Sequence, residues 1–354
     1  MRLLIPDAQF EGSPDVEQAA GPDDLTIEVF RGRRMQDIPE ESWRRCEAIV
    51  VWHVMAISPE VVALLDNCRI VARAGIGVDR INIEACAARG IPVCNCPDYG
   101  ITDVADHAIA LSLSLLRGIT YFQDALRNDP VASWRWNAPP LITRVRGKRF
   151  GIVGLGRIGT ATARRAQALD MQVAFYDPYV AAGQEQAVAA ERLDSLEALL
   201  KSCDVISLHA PHTAETDRMI DATTLAQMKE GAVLINTARG GLVDLDALHA
   251  ALKEGRLSGA GIDVLPEEPP DPMHPLLRAY AAREDWLAGR FVLTPHAAFY
   301  SEASFADLRR KPVETALAYM SGNELRNCVN VVLLRAAGHD PKALSDDRRS
   351  PATS

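Results

Sequence analysis

The sequence predicts an α/β protein built from two parallel-sheet domains. Three observations carry this reading. Short apolar runs alternate with helical patterns from Leu3 to Cys94, and the alternation restarts at Phe150 and continues to Thr294. A long stretch of helical pattern separates the two series. Strands that alternate with helices need crossover connections, and crossovers give parallel sheets. A chain of 354 residues is also long enough for about two domains.

Leu3 to Ile5 reads as the first strand, ended by Pro6 and Asp7. Thr26 to Phe30, Ala48 to Trp52, Ile70 to Ala74 and Ile91 to Cys94 follow as strands. Helical stretches such as Pro59 to Asp66 and Ile83 to Arg89 lie between them. A single helix is expected from Thr102, a plausible N-cap, to Arg127. Its small and apolar residues, Ala105, Ala108, Leu111 and Leu115, predict burial. Trp134 to Pro140 reads as a loop. In the second series, strands are expected at 150–153, 173–176, 204–209, 232–236, 259–264 and 291–294. Helices fit at 158–169, 194–202, 223–229 and 244–254. Six strands with crossover helices make a Rossmann-type unit. A last helix is expected from Ser301 to Met320 and a final strand at Asn327 to Val332. The polar tail from Arg335 reads as disordered.

Composition narrows the function classes. With 48% hydrophobic and 24% charged residues, the chain is an ordinary globular protein. A net charge of -9 argues against nucleic acid and against an anionic membrane surface as partners. The first apolar run is too short for a signal peptide or a membrane span. Seven scattered cysteines form no disulfide framework, which points to a reducing compartment, the cytoplasm. Cys94 and Cys96 read as buried structural thiols, and no metal site is expected.

The strongest motif is Gly154-Leu155-Gly156-Arg157-Ile158-Gly159, placed between an apolar strand and a helical pattern. Gly154 permits the strand-to-helix turn, Gly156 lets the backbone approach a pyrophosphate, and Gly159 lets helix and strand pack closely. The helix N-terminus offers free N–H groups to phosphates. A second apolar run ends at Asp177, spaced to hydrogen-bond an adenosine ribose. Dinucleotide binding is therefore expected, with NAD preferred over NADP because Asp177 repels a 2′-phosphate. Further along, Asn236-Thr237-Ala238-Arg239-Gly240-Gly241, Gly261 to Pro269 and Leu293 to His296 each follow an apolar strand. Strand ends are where ligands gather in such sheets. An arginine, acids and a histidine there suit hydride transfer to a 2-oxo acid. Arginine's planar fork fits a carboxylate. Histidine is a proton donor near neutrality, and a neighbouring carboxylate fixes its tautomer.

These residues, with Arg73-Ala74-Gly75-Ile76-Gly77-Val78-Asp79 and Leu208-His209-Ala210-Pro211, resemble the D-isomer-specific 2-hydroxyacid dehydrogenases over residues 1 to 333. Within that family the chain looks most like the C-terminal-binding-protein branch, through Cys94-Asn95, Thr237 to Asp244, His296 to Glu302 and Asn327-Cys328-Val329-Asn330. Phe299 stands where that branch's co-repressors carry tryptophan, and the segment 270–290 looks longer.

The resemblance implies a flavodoxin-like substrate domain from residues 1–99 and 300–333, a coenzyme domain from 100–299, and a disordered tail at 334–354. It implies a catalytic set of Arg239, Glu268 and His296, with Arg73, Gly75, Ile76, Gly77 and Phe299 toward a small 2-hydroxy or 2-oxo acid. It implies NAD held by Gly154, Gly156, Arg157, Ile158, Gly159, Asp177, His209, Pro211, Thr216, Thr237, Ala238, Arg239, Asp263 and His296. A homodimer through the coenzyme domains is also implied. Two narrower readings are a phosphoglycerate dehydrogenase-type enzyme and an NAD(H)-gated scaffold like the co-repressors.

Overall fold

The computed structural model describes residues 1–137, 142–322 and 324–339. The chain divides into two compact units, Met1–Gly100 with the residues from Ser301 onward, and Ile101–Tyr300.

In the first unit, β1 (Arg2–Ile5), α1 (Asp15–Ala19), β2 (Thr26–Val29), α2 (Glu40–Arg45), β3 (Ala48–Val51), α3 (Pro59–Leu64), β4 (Ile70–Arg73), α4 (Ile83–Ala88) and β5 (Val93–Cys94) run in order. The strands form one parallel sheet ordered β2-β1-β3-β4-β5, the flavodoxin-like arrangement. Every residue of β3 is buried, because helices cover both faces of a parallel sheet. Trp43, Ile49, Val51, Val71 and Val93 share one core on this sheet.

The second unit contains α5 (Ile101–Leu116), α6 (Ile119–Asn128), β6 (Arg149–Val153), α7 (Arg157–Ala168), β7 (Gln172–Tyr176), α8 (Gln184–Val188), β8 (Glu191–Arg192), α9 (Leu196–Ser202), β9 (Val205–Leu208), α10 (Ala222–Gln227), β10 (Ala232–Asn236), α11 (Leu245–Lys253), β11 (Leu257–Ile262), α12 (Pro275–Ala281) and β12 (Phe291–Leu293). Its parallel sheet is ordered β12-β11-β10-β9-β6-β7-β8, a Rossmann-type order with its reversal between β6 and β9. One face packs Leu111 and Leu115 of α5 and Ala163 and Ala166 of α7 against Phe150, Ile152 and Phe175. The other packs Leu199, Leu248 and Leu252 against Ile206 and Leu234. The first unit resumes with α13 (Glu302–Gly322) and α14 (Val331–Ala336).

Five local expectations are corrected. The helix expected at 102–127 is two helices, because Gly118 adopts a left-handed φ of 61° and ends the run. Its first helix opens at Ile101, so Thr102 lies inside it and is not the N-cap. The two-residue β8 at the sheet edge is too short to show a periodicity of its own. The strand expected at Asn327 to Val332 is a single antiparallel bridge, Cys328 to Cys94, followed by α14. Buried Asn330 ends the bridge: Val93 N donates to its Oδ1 at 2.9 Å, and its Nδ2 donates to Ile91 O at 3.1 Å. Arg335 and Ala336, assigned to a disordered tail, therefore lie in a helix. The remaining tail, from residue 340, and residues 138–140 of the expected loop are outside the described residues.

Asp7 fixes the strand-end loops of the first unit. Its fully buried carboxylate accepts from the amides of Trp52 (2.8 Å), Val54 (2.9 Å) and Met55 (2.8 Å). Burial raises this carboxyl above its ordinary value, opposed by the three amides and by the charge of Arg73. In Asp7→Ala three amides lose their acceptor, so the unit should lose about 3 kcal/mol or more. Urea unfolding checks this; a midpoint unchanged from wild type would show that the amides find other partners.

Candidate active site

The glycine loop is shaped by contacts that only hydrogen side chains allow. Gly154 has a φ of 91° and its amide donates to Tyr176 O at 3.0 Å. A Cβ on Gly159 would stand 2.1 Å from Gly154 O, so α7 packs against the turn only with glycine there. At Gly156, the N-cap of α7, a Cβ would meet nothing within 4 Å. No side chain caps that helix, Arg157 is exposed and Ile158 is half-buried, so the first amides of α7 are left to a ligand or to water. This is room for a pyrophosphate.

Asp177 ends β7 with both carboxylate oxygens held, Oδ2 by Leu155 N (2.8 Å) and Oδ1 by Tyr179 N (2.9 Å). Arg192 lies against this loop, but its fork is spent. It pairs with Glu185 at 2.9 Å, donates to the carbonyls of Asp177, Val180 and Ala181, and lies over the Phe175 ring. A 2′-phosphate would find no available positive charge in it. Tyr179 donates its phenol to Glu215, joining the loops after β7 and β9.

The loop after β9 carries His209, Pro211 and Thr216. Thr216 donates its hydroxyl to Pro211 O at 2.7 Å and accepts from Thr213 N at 2.8 Å, which rigidifies the turn. His209 Nε2 lies 2.9 Å from Ser207 Oγ, and its amide donates to Val153 O at 2.8 Å. Desolvation pushes the His209 ring from 6.5 down to about 4. The residues present fit a dinucleotide: an open glycine cradle, an acid at the ribose position, and the buried Thr237 hydroxyl, which has no partner among the described residues.

The other strand ends bring the proposed reactive groups together. Asn236 is fully buried at the end of β10; its Nδ2 donates to Arg239 O at 2.9 Å and its Oδ1 accepts from Ala238 N at 3.0 Å. Arg239 Nη1 donates to Ala238 O at 2.7 Å. Asp244 caps α11, accepting from Ala247 N at 3.0 Å. A Cβ on Gly240 would stand 1.9 Å from the carbonyl carbon of Leu265. The Arg239 loop therefore rests directly on the loop that carries Glu268. Glu268 Oε1 accepts from Leu265 N at 2.9 Å, and Oε2 lies 2.6 Å from His296 Nδ1. With Nδ1 committed to Glu268, a ligand would exchange its proton with Nε2.

His296 sits in a left-handed conformation, φ 53°, which a non-glycine residue adopts only when its surroundings enforce it. Asp263 enforces it. His296 N donates to Asp263 O at 2.7 Å, and the buried carboxylate accepts from Ala297 N (2.9 Å), Ala298 N (3.0 Å) and the Thr294 hydroxyl. His107 Nε2, on α5, lies 3.0 Å from Thr294 Oγ1 and completes the network. Sequence reasoning missed His107, because nothing in a helical pattern marks a residue that meets the end of a strand so far along the chain. Phe299 stands edge-on to the His296 ring, centroids 6.2 Å apart.

In the first unit, Arg73 Nε donates to Gly77 O at 3.0 Å and its Nη1 to Ala74 O, so the guanidinium curls over Gly75, φ 143°. Cys96 N donates to Gly75 O (2.9 Å) and Asn95 Nδ2 to Ile76 O (2.8 Å). Cys94 and Cys96 are buried, and among the described residues no three His, Cys, Asp or Glu side chains are grouped to hold a metal.

A Rossmann-type sheet with a glycine cradle, and a histidine–carboxylate pair at its strand ends, defines the class as a dinucleotide-binding α/β protein. The chain belongs to the D-isomer specific 2-hydroxyacid dehydrogenase family, whose NAD-binding domain matches residues 109–298. It is 34% identical over 332 residues to a D-3-phosphoglycerate dehydrogenase of Archaeoglobus fulgidus, across 94% of this chain and 59% of that protein. A D-3-phosphoglycerate dehydrogenase of Methanocaldococcus jannaschii is 33% identical over 270 residues, 76% of this chain and 50% of that one. The chain thus spans little more than half the length of these relatives. A crystal structure of a Thermus thermophilus protein superposes with a TM-score of 0.78 at 33% identity, covering 93% of this chain and 100% of that one. The Aquifex aeolicus D-lactate dehydrogenase, complexed with NAD and lactic acid, gives 0.78 at 28% identity over 94% and 98%.

The low value of His209 sets a pH dependence. Its ring is neutral in the folded state, so the associated stability is whole above pH 6.5 and is lost as pH falls toward 4. The full loss is about 3 kcal/mol. Urea unfolding across that range should show the loss in wild type and a flatter dependence in His209→Gln. Parallel pH profiles would rule His209 out as the source.

Proposed function

We propose that the protein is an NAD-dependent D-2-hydroxyacid dehydrogenase acting on the C2 of a small 2-hydroxy or 2-oxo acid. The observation that carries this is the His296–Glu268 pair at 2.6 Å, on a loop that abuts the Arg239 turn at Gly240. NAD(H), when bound, supplies or takes the hydride. Arg239 binds the substrate carboxylate with its planar fork and aims the C2 oxygen at His296. Protonated His296 gives its Nε2 proton to that oxygen in reduction, and the neutral ring takes it back in oxidation. Glu268 keeps the Nδ1 hydrogen in place and balances the imidazolium charge. Arg73, with the turn Gly75, Ile76 and Gly77, and Phe299 are assigned to substrate contacts. Gly154, Gly156, Arg157, Ile158, Gly159, Asp177, His209, Pro211, Thr216, Thr237, Ala238 and Asp263 are assigned to the cofactor side. The first unit is read as the substrate domain and the second as the coenzyme domain.

The phosphoglycerate dehydrogenase-type reading has the names of two relatives in its favour. Nothing in the geometry favours the scaffold reading. Among the described residues no helix is long and apolar enough to cross a membrane. All seven cysteines are free thiols, which supports the cytoplasm as the compartment.

NADH oxidation with glyoxylate, hydroxypyruvate and phosphohydroxypyruvate tests the activity and separates the two enzyme readings. NADH should outperform NADPH, because Arg192 is committed to Glu185 and to backbone carbonyls. Arg239→Ala should lower kcat/KM by about a hundredfold, or roughly 3 kcal/mol, with little change in NADH Kd. Arg239→Lys should remain impaired. Turnover intact in Arg239→Ala would remove the carboxylate anchor and with it the reaction class.

A homodimer through the second unit is part of this proposal. No residue of α6 is buried, and Val131, Trp134 and Trp136 beyond it are 85%, 80% and 86% exposed. Apolar side chains grouped this way are costly to leave in water. Sedimentation of the wild type should show a dimer, and Trp134→Asp/Trp136→Asp a monomer; a dimer in both would place the contact elsewhere.

A further inference from the structure

Two sequence motifs outside the proposed reaction, Cys94-Asn95 and Asn327-Cys328-Val329-Asn330, meet in the first unit. Asn95 N donates to Asn327 O at 3.2 Å, and Val329 N to Val93 O at 2.9 Å. These bonds flank Cys94 and Cys328, which stand opposite each other in an antiparallel bridge. The two cysteines are the non-hydrogen-bonded pair of that bridge, a geometry with Cα atoms about 4.5 Å apart. That spacing is within the range a disulfide spans. We propose that Cys94 and Cys328 are an oxidative modification site, closed to a reversible disulfide by a peroxide.

Their surroundings give the two sulfurs different tasks. Cys94 is fully buried, whereas Cys328 is only partly buried and so within reach of a small oxidant. Cys328 is therefore the sulfur a peroxide reaches first, and its thiolate is the nucleophile. In the thiol form Cys328 also donates to Asn330 Oδ1 at 3.2 Å. The Cys328 thiolate attacks one peroxide oxygen. An S–O bond forms, the O–O bond breaks, and the leaving hydroxide takes a proton to become water. The Cys94 sulfur then attacks Cys328, the S–S bond forms, the S–O bond breaks, and a second water leaves with the Cys94 proton. Two thiols lose two electrons and one hydrogen peroxide gains them. A dithiol reductant reverses the step by exchange. Cys46 and Cys68 also meet, but both are buried and offer an oxidant no entry.

The bond would join the α14 segment covalently to the edge strand β5. Asn95 and Cys96, next in the chain, hold the carbonyls of Ile76 and Gly75. That turn is assigned to substrate under the proposed function, on which this consequence rests.

The test treats the reduced full-length protein with hydrogen peroxide and maps its peptides without reduction. The expected result is a linked Cys94–Cys328 peptide that dithiothreitol removes and that Cys328→Ser lacks. Cys328→Ser is the primary variant because its only partly buried site tolerates substitution better than Cys94. Peroxide converting Cys328 to sulfinic acid with no linked peptide overturns the site. So does a Cys46–Cys68 peptide in equal yield. The peptide result stands whether or not a 2-oxo acid is turned over. For a protein that reduces hydroxypyruvate, the oxidised form should show a raised KM with an unchanged NADH Kd; an unchanged KM overturns the link to the turn.

Discussion

The proposed active site hangs on the Asp263 carboxylate. It is buried at the end of β11 and collects the Thr294 hydroxyl and the amides of Ala297 and Ala298, while its own carbonyl takes the amide of His296. A buried carboxylate without such donors would be strongly disfavoured, so these groups must arrive together. The result of that convergence is a histidine held in a left-handed conformation with its ring against Glu268. His107 extends the network back to α5, so His296 is supported from a helix and two strands.

The same device recurs in the first unit. Asp7 ends β1 and gathers three amides from the loop after β3. In both units the acid sits where a parallel sheet delivers its strand ends, and it fixes a loop that would otherwise have no regular partner. Loops at these edges can then hold polar side chains in defined positions, as ligand binding there requires. The glycines act as the complement. Gly159 and Gly240 permit backbone approaches that a methyl group would block, and so set α7 against its turn and the Arg239 loop against the Glu268 loop.

Much of this was legible in the sequence. The alternation of apolar runs located all but the two-residue strand β8, and the glycine motif with Asp177 marked the cradle. Arg239, Glu268 and His296 stood out as polar groups after apolar strands. Failures came where the signal was short or non-local. Only Arg117 and Gly118 divide α5 from α6, and an otherwise continuous helical pattern hid the break. Asn327 to Val332 looked like a strand because its apolar residues fit one, yet buried Asn330 turns the chain into α14.

By itself the sequence determined the elements, their alternation, the dinucleotide motif and the residue types available for chemistry. Those follow from neighbours within a few residues, where periodicity and backbone preference act. Only the tertiary structure decided which groups meet. The Glu268–His296 pair, the seat of Gly240 on Leu265, the reach of His107 to Thr294 and the pairing of Cys94 with Cys328 join residues far apart in the chain. Such contacts depend on strand order and crossover path, and the local pattern of a segment carries no record of the segment it will face.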